Sequence, residues 1–342
     1  MKAMILEQTI NLTENRHPLR QVDLPKPEPN DGEILVKVST CGLCHTDLDE
    51  IEGRTPPSRF PMILGHQIVG RVENSGRGTG MFQPGDRVGI AWIHSACGNC
   101  KFCRQGEENL CEHFKATGRD VPGGYAEYTT VREDFAYRIP NTFTDCQAAP
   151  LLCAGAVGYR SLRLAGIVNG QALGLYGFGA SAHLVLQVTR HLYPDSGIYV
   201  FARNKEERDF ALELGASWAG DIEDLPPTPM DAVIDTTPVW RPVVCALRHL
   251  EPGGRVVINA IRKVEQDKDW LLRLDYEHHL WKEKELKSVA NVTRNDVREF
   301  LQTAAEVPIK PEIQEFALKD AEKGLLEMQE GKIRGAKVLC LE

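Results

Sequence analysis

The sequence predicts an α/β-plus-β protein: a mostly-β domain followed by a doubly wound parallel-sheet domain. Three observations carry this. At 342 residues the chain is longer than one hydrophobic core usually supports. Its first 150 residues are short β-type runs broken by Gly and Pro. From about residue 155 strands alternate with helices, the pattern of βαβ units and a parallel sheet.

The early strands are ILVKV (34–38), IVGRV (68–72), DRVGIAW (86–92) and YAEYTTV (125–131), separated by turn material such as PKPEPNDG and QPGD. The later half opens with the strand ALGLYG (172–177) and a helix through LVLQVTRHL (184–192). IYVFA (198–202) and the helix KEERDFALELGA (205–216) follow, then DAVID (231–235) and a helix through PVVCALRHL (242–250). The turn PGG leads into RVVINAI (255–261). Beyond residue 292 come two amphipathic helices (294–306 and 320–330) and a last strand, AKVLCL. That tail fits either domain on its pattern alone, and the chain has no internal repeat.

Composition narrows the function. The chain is 42% apolar and 26% charged, as soluble globular proteins are, and its net charge of −8 disfavours nucleic acid or an anionic membrane as partner. No apolar run approaches the 18 residues of a membrane span. The start, MKAMILEQ, lacks the apolar core and cleavage site of a signal peptide, so a cytoplasmic protein is expected. Ten cysteines in a reducing compartment then point to metal or catalysis before disulfides.

YGFGASA (176–182) sets Gly177 and Gly179 between a strand and a helix, with Ala182 at the third small position of a dinucleotide-binding turn. One glycine permits the tight turn and the next lets backbone approach a pyrophosphate at a helix N-terminus. Phe178, Ala180 and Ser181 complete the cofactor-facing stretch, and Ala260 near the end of RVVINAI is a further candidate. The second strand ends in Ala202-Arg203-Asn204-Lys205, with no acid to bind a ribose 2′-hydroxyl, which favours NADP(H) over NAD(H). Arg203 either accommodates the 2′-phosphate or stacks on adenine.

Cys97, Cys100, Cys103 and Cys111 have the spacing C-x2-C-x2-C-x7-C, four thiolates able to close a shell around one Zn²⁺ or to hold an iron–sulfur cluster. A closed four-ligand site leaves no position for substrate, so this one is structural. A second set is scattered: Cys44 in CGLCHTD, His66 in LGHQIVG and Cys153 in APLLCAG. Three N/S ligands plus one exchangeable position describe a catalytic zinc, although spacing alone does not group these three.

The motifs taken in order resemble the zinc-dependent medium-chain alcohol dehydrogenases. They are C-x-T-D at 44–47, G-H at 65–66, G-D-R-V at 85–88, the four-cysteine loop and G-G-Y-A-E-Y at 123–128, followed by A-P-L-L-C-A-G at 149–155, the glycine turn and P-G-G at 252–254. The resemblance implies a GroES-like catalytic domain over 1–154 and 292–342 and a Rossmann domain over 155–291. It implies that Cys44, His66 and Cys153 hold the catalytic zinc and the four-cysteine loop a structural one, two zinc ions per chain. It also implies an enzyme that interconverts alcohols and aldehydes or ketones by hydride transfer with a nicotinamide, as a homo-oligomer, dimer or tetramer.

Further roles follow from the same resemblance. Thr46 matches a proton-relay hydroxyl and Asp47 the carboxylate that fixes the ligand histidine. Asp49 stands where many members have a relay histidine, and is either its substitute or a plain surface acid. His45 and Arg334 match residues that reach the cofactor pyrophosphate, or are solvated cations. Trp92 and Ile93 either narrow the pocket toward primary alcohols and aldehydes or pack in the core. Gln67 replaces the usual glutamate beside the metal, keeping shape while removing a charge. Two rival functions remain: a zinc-independent enoyl or quinone reductase, and a non-enzymatic cofactor-binding sensor with a thiol switch.

Overall fold

The computed structural model describes residues 1–341. The chain divides into two compact units. The first comprises residues 1–156, 292–306 and those from 311 onward, and the second residues 157–291 and 307–310.

In the first unit β1 (Lys2–Leu6) pairs antiparallel with β2 (Leu19–Asp23). β3 (Glu33–Leu43) leads through Cys44 into helix α1 (His45–Ile51). The short β4 (Met62–Ile63) joins β1, and β5 (Gln67–Ser75) runs antiparallel to β3. β6 (Arg87–Ile90), β7 (Ile93–Ser95) and helix α2 (Lys101–Arg104) follow, and β8 (Lys115–Ala116) closes a hairpin with β7. β9 (Tyr128–Arg132) pairs with β3, β10 (Ala136–Arg138) with β6, and helix α3 (Asp145–Ala148) comes next. Register shifts near Leu35/Val36 and Val38/Thr40 are the irregularities that bend a strand, and β3 carries both while serving several partners.

Helix α4 (Ala154–Ala165) leads into the second unit, whose strands are β11 (Leu173–Tyr176), β12 (Ile198–Phe201), β13 (Trp218–Gly220), β14 (Met230–Asp235), β15 (Leu250–Ile258) and β16 (Glu285–Ser288). Helices α5 (Ala180–Leu192), α6 (Lys205–Glu213) and α7 (Arg241–His249) connect them. The sheet order is β13-β12-β11-β14-β15-β16, all parallel. Numbered within the unit this is 3-2-1-4-5-6, the doubly wound order with its switch point between β11 and β14. Apolar strands and one face of α7 meet in a core containing Tyr176, Phe201, Val233, Leu247 and Val256. Tyr176 stacks on Phe201 at 4.2 Å.

The chain then returns to the first unit with helix α8 (Arg294–Glu306), β17 (Ile313–Ala317), helix α9 (Ala321–Gln329) and β18 (Ala336–Cys340). β18 lies between β3 and β17 in the larger sheet. Residues 307–310 differ from the sequence expectation, because they stay with the second unit. The cause is α5, where Gln187 accepts from the Lys310 N–H at 2.8 Å and donates to the Lys310 carbonyl at 3.3 Å. The PGG segment also differs. It lies inside β15, with Gly253 at φ +77°, because Leu250 already pairs with Met230 before the register shifts. Among the described residues no helix is long and apolar enough to cross a membrane.

Candidate metal and cofactor sites

Three separate segments of the first unit bring Cys44, His66 and Cys153 together. Cys44 follows β3 and caps α1, His66 immediately precedes β5, and Cys153 follows the single turn Ala149–Leu152. The β3–β5 register, which opposes Gly42 to Gln67, carries the first two to the same sheet end. One ligand atom from each of the three lies within 4.8 Å of the others. His66 is completely buried, and neither ring nitrogen has a hydrogen-bond partner among the described residues. A buried imidazole is costly unless something accepts or donates to it. With two thiols beside it, this donor set fits zinc.

Charge favours ion binding here as well. A hydrogen bond from Cys153 draws the Cys44 thiol well below its usual pKa, helped by His66 and opposed by burial. Cys153 is pushed up by that same bond and by burial. A cation would replace the shared protons with a common charge. The Asp47 carboxylate is fully buried and accepts from the Cys44 N–H at 2.7 Å and the Tyr125 hydroxyl at 2.8 Å. Its other oxygen lies 3.4 Å from His66 Nδ1, leaving Nε2 for the ligand cluster.

The neighbouring candidates occupy distinct places. Thr46 is buried, with its hydroxyl 3.6 Å from Cys44 Sγ. Asp49 is no surface acid: it is buried on α1 and paired with Arg54, because α1 docks that face inward. Burial raises its pKa and the Arg54 ion pair opposes the shift. Gln67 is buried and donates to the Leu43 carbonyl at 3.4 Å. Gly42 makes room for it, since a Cβ there would lie 2.9 Å from the Gln67 amide. His45 is exposed on the first turn of α1. Arg334 is exposed and donates to Glu312 at 3.4 Å. Trp92 and Ile93 are buried, and Trp92 packs 5.2 Å from the Phe114 ring.

Sequence reasoning missed Glu50 and the contact made by Tyr125. Glu50 is fully buried, and neither carboxylate oxygen has a partner among the described residues. Burial and the nearby Asp47 charge hold its pKa well above normal. Its spacing of three residues from Asp47 on one helix was the available signal.

The four-cysteine loop is self-contained. All four sulfurs lie within 4.8 Å of one another, with Cys97 3.8 Å from Cys103 and 3.5 Å from Cys111. A tetrahedron with Zn–S bonds of about 2.3 Å has edges of about 3.8 Å. The set therefore fits one ion better than an iron–sulfur cage, which spreads its thiolates over several metals. The N–H groups of Asn99 and Cys100 lower the Cys97 thiol to about 6.

In the second unit Gly177 follows β11 at φ +79°, where a Cβ would lie 2.8 Å from Thr236 Oγ1. Only glycine suits that turn. Gly179 caps α5, which begins at Ala180; Ser181 sits in its first turn, and Ala182 is buried as close packing requires. Phe178 turns inward and packs 5.5 Å from the Phe210 ring, which leaves only its backbone for a cofactor. After β12, Ala202 is buried and Arg203 exposed, Asn204 caps α6, and Lys205 is ion-paired with Asp209 at 2.6 Å. Ala260 follows β15 half-buried. At the switch point the fully buried Asp235 pairs with Lys263, which also donates to the Thr237 carbonyl at 2.7 Å. No motif in the sequence pointed to that pair.

Comparison with known proteins agrees with this architecture. Residues 30–141 match the family model described as the alcohol dehydrogenase GroES-like domain. The chain is 43% identical over 329 residues to a probable alcohol dehydrogenase, AdhA, of Mycobacterium tuberculosis, covering 95% of this chain and 93% of the relative. It is 32% identical over 355 residues to an alcohol dehydrogenase of Geobacillus stearothermophilus, covering 100% and 99%. A thermostable alcohol dehydrogenase from Pyrobaculum aerophilum shares the fold with a TM-score of 0.88 at 23% identity, covering 99% of each chain. The fold is a GroES-like domain joined to a Rossmann-type parallel sheet. The chain belongs to the zinc-type medium-chain alcohol dehydrogenase family.

Proposed function

We propose that this chain is a zinc-dependent oxidoreductase that interconverts alcohols and aldehydes or ketones with a nicotinamide cofactor, favouring NADP(H) and primary alcohols. The observation that carries the reading is the buried Cys44–His66–Cys153 donor set, in which His66 Nε2 has no hydrogen-bond partner among the described residues. Its membership of an alcohol dehydrogenase family and its relatives' names support the reaction class.

In this reading Cys44, His66 and Cys153 hold one zinc, and Cys97, Cys100, Cys103 and Cys111 a second. The first ion supplies Lewis acidity, polarising a carbonyl or acidifying an alcohol, while the nicotinamide carries the hydride. Thr46, beside Cys44, takes the substrate proton at its hydroxyl. Asp49, further along α1 and paired with Arg54 from the turn beyond that helix, replaces the outer relay histidine. Asp47 holds His66 Nδ1 so that Nε2 faces the ion. The Gly177–Ser181 turn binds the pyrophosphate, with His45 and Arg334 as further phosphate contacts. Arg203 and the N-terminus of α6 at Asn204-Lys205 receive the 2′-phosphate, and Ala202 and Ala260 line the cofactor. Trp92 and Ile93 bound the substrate side. The active form is a cytoplasmic homo-oligomer, dimer or tetramer.

Metal content per chain, followed by NADPH and NADH oxidation over an aldehyde panel, tests this. Two zinc equivalents and aldehyde-dependent turnover are expected, faster with NADPH. One zinc with activity confined to activated double bonds overturns the reaction, and equal or better use of NADH overturns the cofactor preference alone.

A further inference from the structure

A third thiol grouping lies apart from both metal sites. Cys146 on α3 and Cys340 at the end of β18 place their sulfurs 2.8 Å apart, although 194 positions separate them in sequence. Both are half-buried and therefore open to small solutes.

Their backbones are fixed independently of the thiols. Cys340 pairs with Thr40 of β3 on one side and Ala317 of β17 on the other. The Thr40 hydroxyl donates to the Asp145 carbonyl at 3.2 Å, bringing the residue before Cys146 to the strand beside Cys340. Arg87 holds the Asp145 carboxylate at 2.7 Å, and a reciprocal cap between Thr144 and Gln147 sets the turn.

Distance separates this pair from the metal-type thiols of the same molecule. In the four-cysteine loop the sulfurs stand 3.5 and 3.8 Å apart, near the edge of a zinc tetrahedron. At 2.8 Å the Cys146 and Cys340 sulfurs are too close to share an ion in that geometry. They need less than 1 Å of approach to reach the ~2.05 Å of a disulfide. Glu315 is the third neighbour, and it is exposed.

We propose that Cys146 and Cys340 form an oxidisable dithiol that a hydroperoxide converts to a disulfide, joining α3 to the last strand. Burial raises both thiols, and the hydrogen bond from Cys146 relieves Cys340 alone, so Cys340 ionises first. Its sulfur attacks a peroxide oxygen; the S–O bond forms, the O–O bond breaks, and the departing oxygen leaves as water or alcohol after protonation. Cys146 sulfur then attacks the resulting sulfenic acid. The S–S bond forms, the S–O bond breaks, and the second oxygen leaves as water with the Cys146 proton. Two thiols lose two electrons in all, and one peroxide gains them. A dithiol reductant reverses the change.

The test uses the full-length, zinc-loaded protein treated with hydrogen peroxide, alkylated, and digested without reductant for mass spectrometry. The expected product is a peptide pair linked through Cys146 and Cys340, two hydrogens lighter than the separate peptides and released by dithiothreitol. In Cys340→Ser the linked pair is absent and Cys146 remains alkylated. Two results on the unaltered protein overturn the proposal. One is that both residues stay fully alkylatable after peroxide. The other is that the protein binds a third zinc equivalent that protects both thiols, which makes the cluster a metal site.

Discussion

The four-cysteine loop and the Cys44–His66–Cys153 set both gather thiols, the second with an imidazole, but they are built by different means. The first lies between positions 97 and 111 on one loop, and its geometry is local. The second draws residues from positions 44, 66 and 153, and exists only because β3, β5 and the turn before Cys153 dock together. A local site depends on chain spacing. A dispersed site depends on the fold, and on the buried groups that hold its ligands.

The largest effects should separate these two modes. Cys153→Ala removes a ligand from the dispersed set without breaking a loop. Activity should fall by at least about 10³-fold, roughly 4 kcal/mol of transition-state stabilisation, while one zinc equivalent stays bound. Cys103→Ala opens the local shell, and the expected loss is of fold: a lower melting temperature and protease cleavage within 95–115, with the dispersed set still loading. Metal analysis and limited proteolysis on both variants check this. If Cys103→Ala cuts activity as deeply as Cys153→Ala while the melting temperature holds, the comparison fails.

Asp47→Asn comes next, since its carboxylate links the Cys44 N–H, the Tyr125 hydroxyl and His66. Loss of such an outer carboxylate typically costs 10–100-fold in metal affinity. Competition with a chelator should show that drop for one of two ions. Tyr125→Phe removes one hydrogen bond to that carboxylate and leaves its charge in place, so it should weaken binding less, by under about tenfold, or about 1.4 kcal/mol. Equal zinc affinity in all three proteins would remove the carboxylate from the site's support.

The same contrast explains how far the sequence could be read. The alternation of strands and helices after residue 155 marked the parallel sheet, because each βαβ unit repeats a local pattern. The four cysteines were legible for the same reason. Glu50 and the Asp235–Lys263 pair were not, since their burial is decided by docking of distant segments. Asp49 reads in the sequence as either a relay substitute or a plain surface acid, and only the packing of α1 buries it against Arg54. Residues 307–310 escaped too, because Gln187, more than a hundred positions earlier, decides where they lie.

The smallest effect expected is also the finest probe of the dispersed set. Gln67 is buried at the start of β5, fitted against Gly42 and bonded to the Leu43 carbonyl. Gln67→Glu keeps that shape and adds a negative charge close to His66. Asp47 and Glu50 already contribute acidic groups there, so a further one opposes every proton release in the cluster. The pH–rate profile should move upward by about one unit or less, since one unit equals 1.36 kcal/mol of differential interaction. Zinc affinity should rise slightly, because the added charge favours a cation. Steady-state rates across pH and a parallel chelator competition read the two effects separately. If neither moves, the position responds to shape alone.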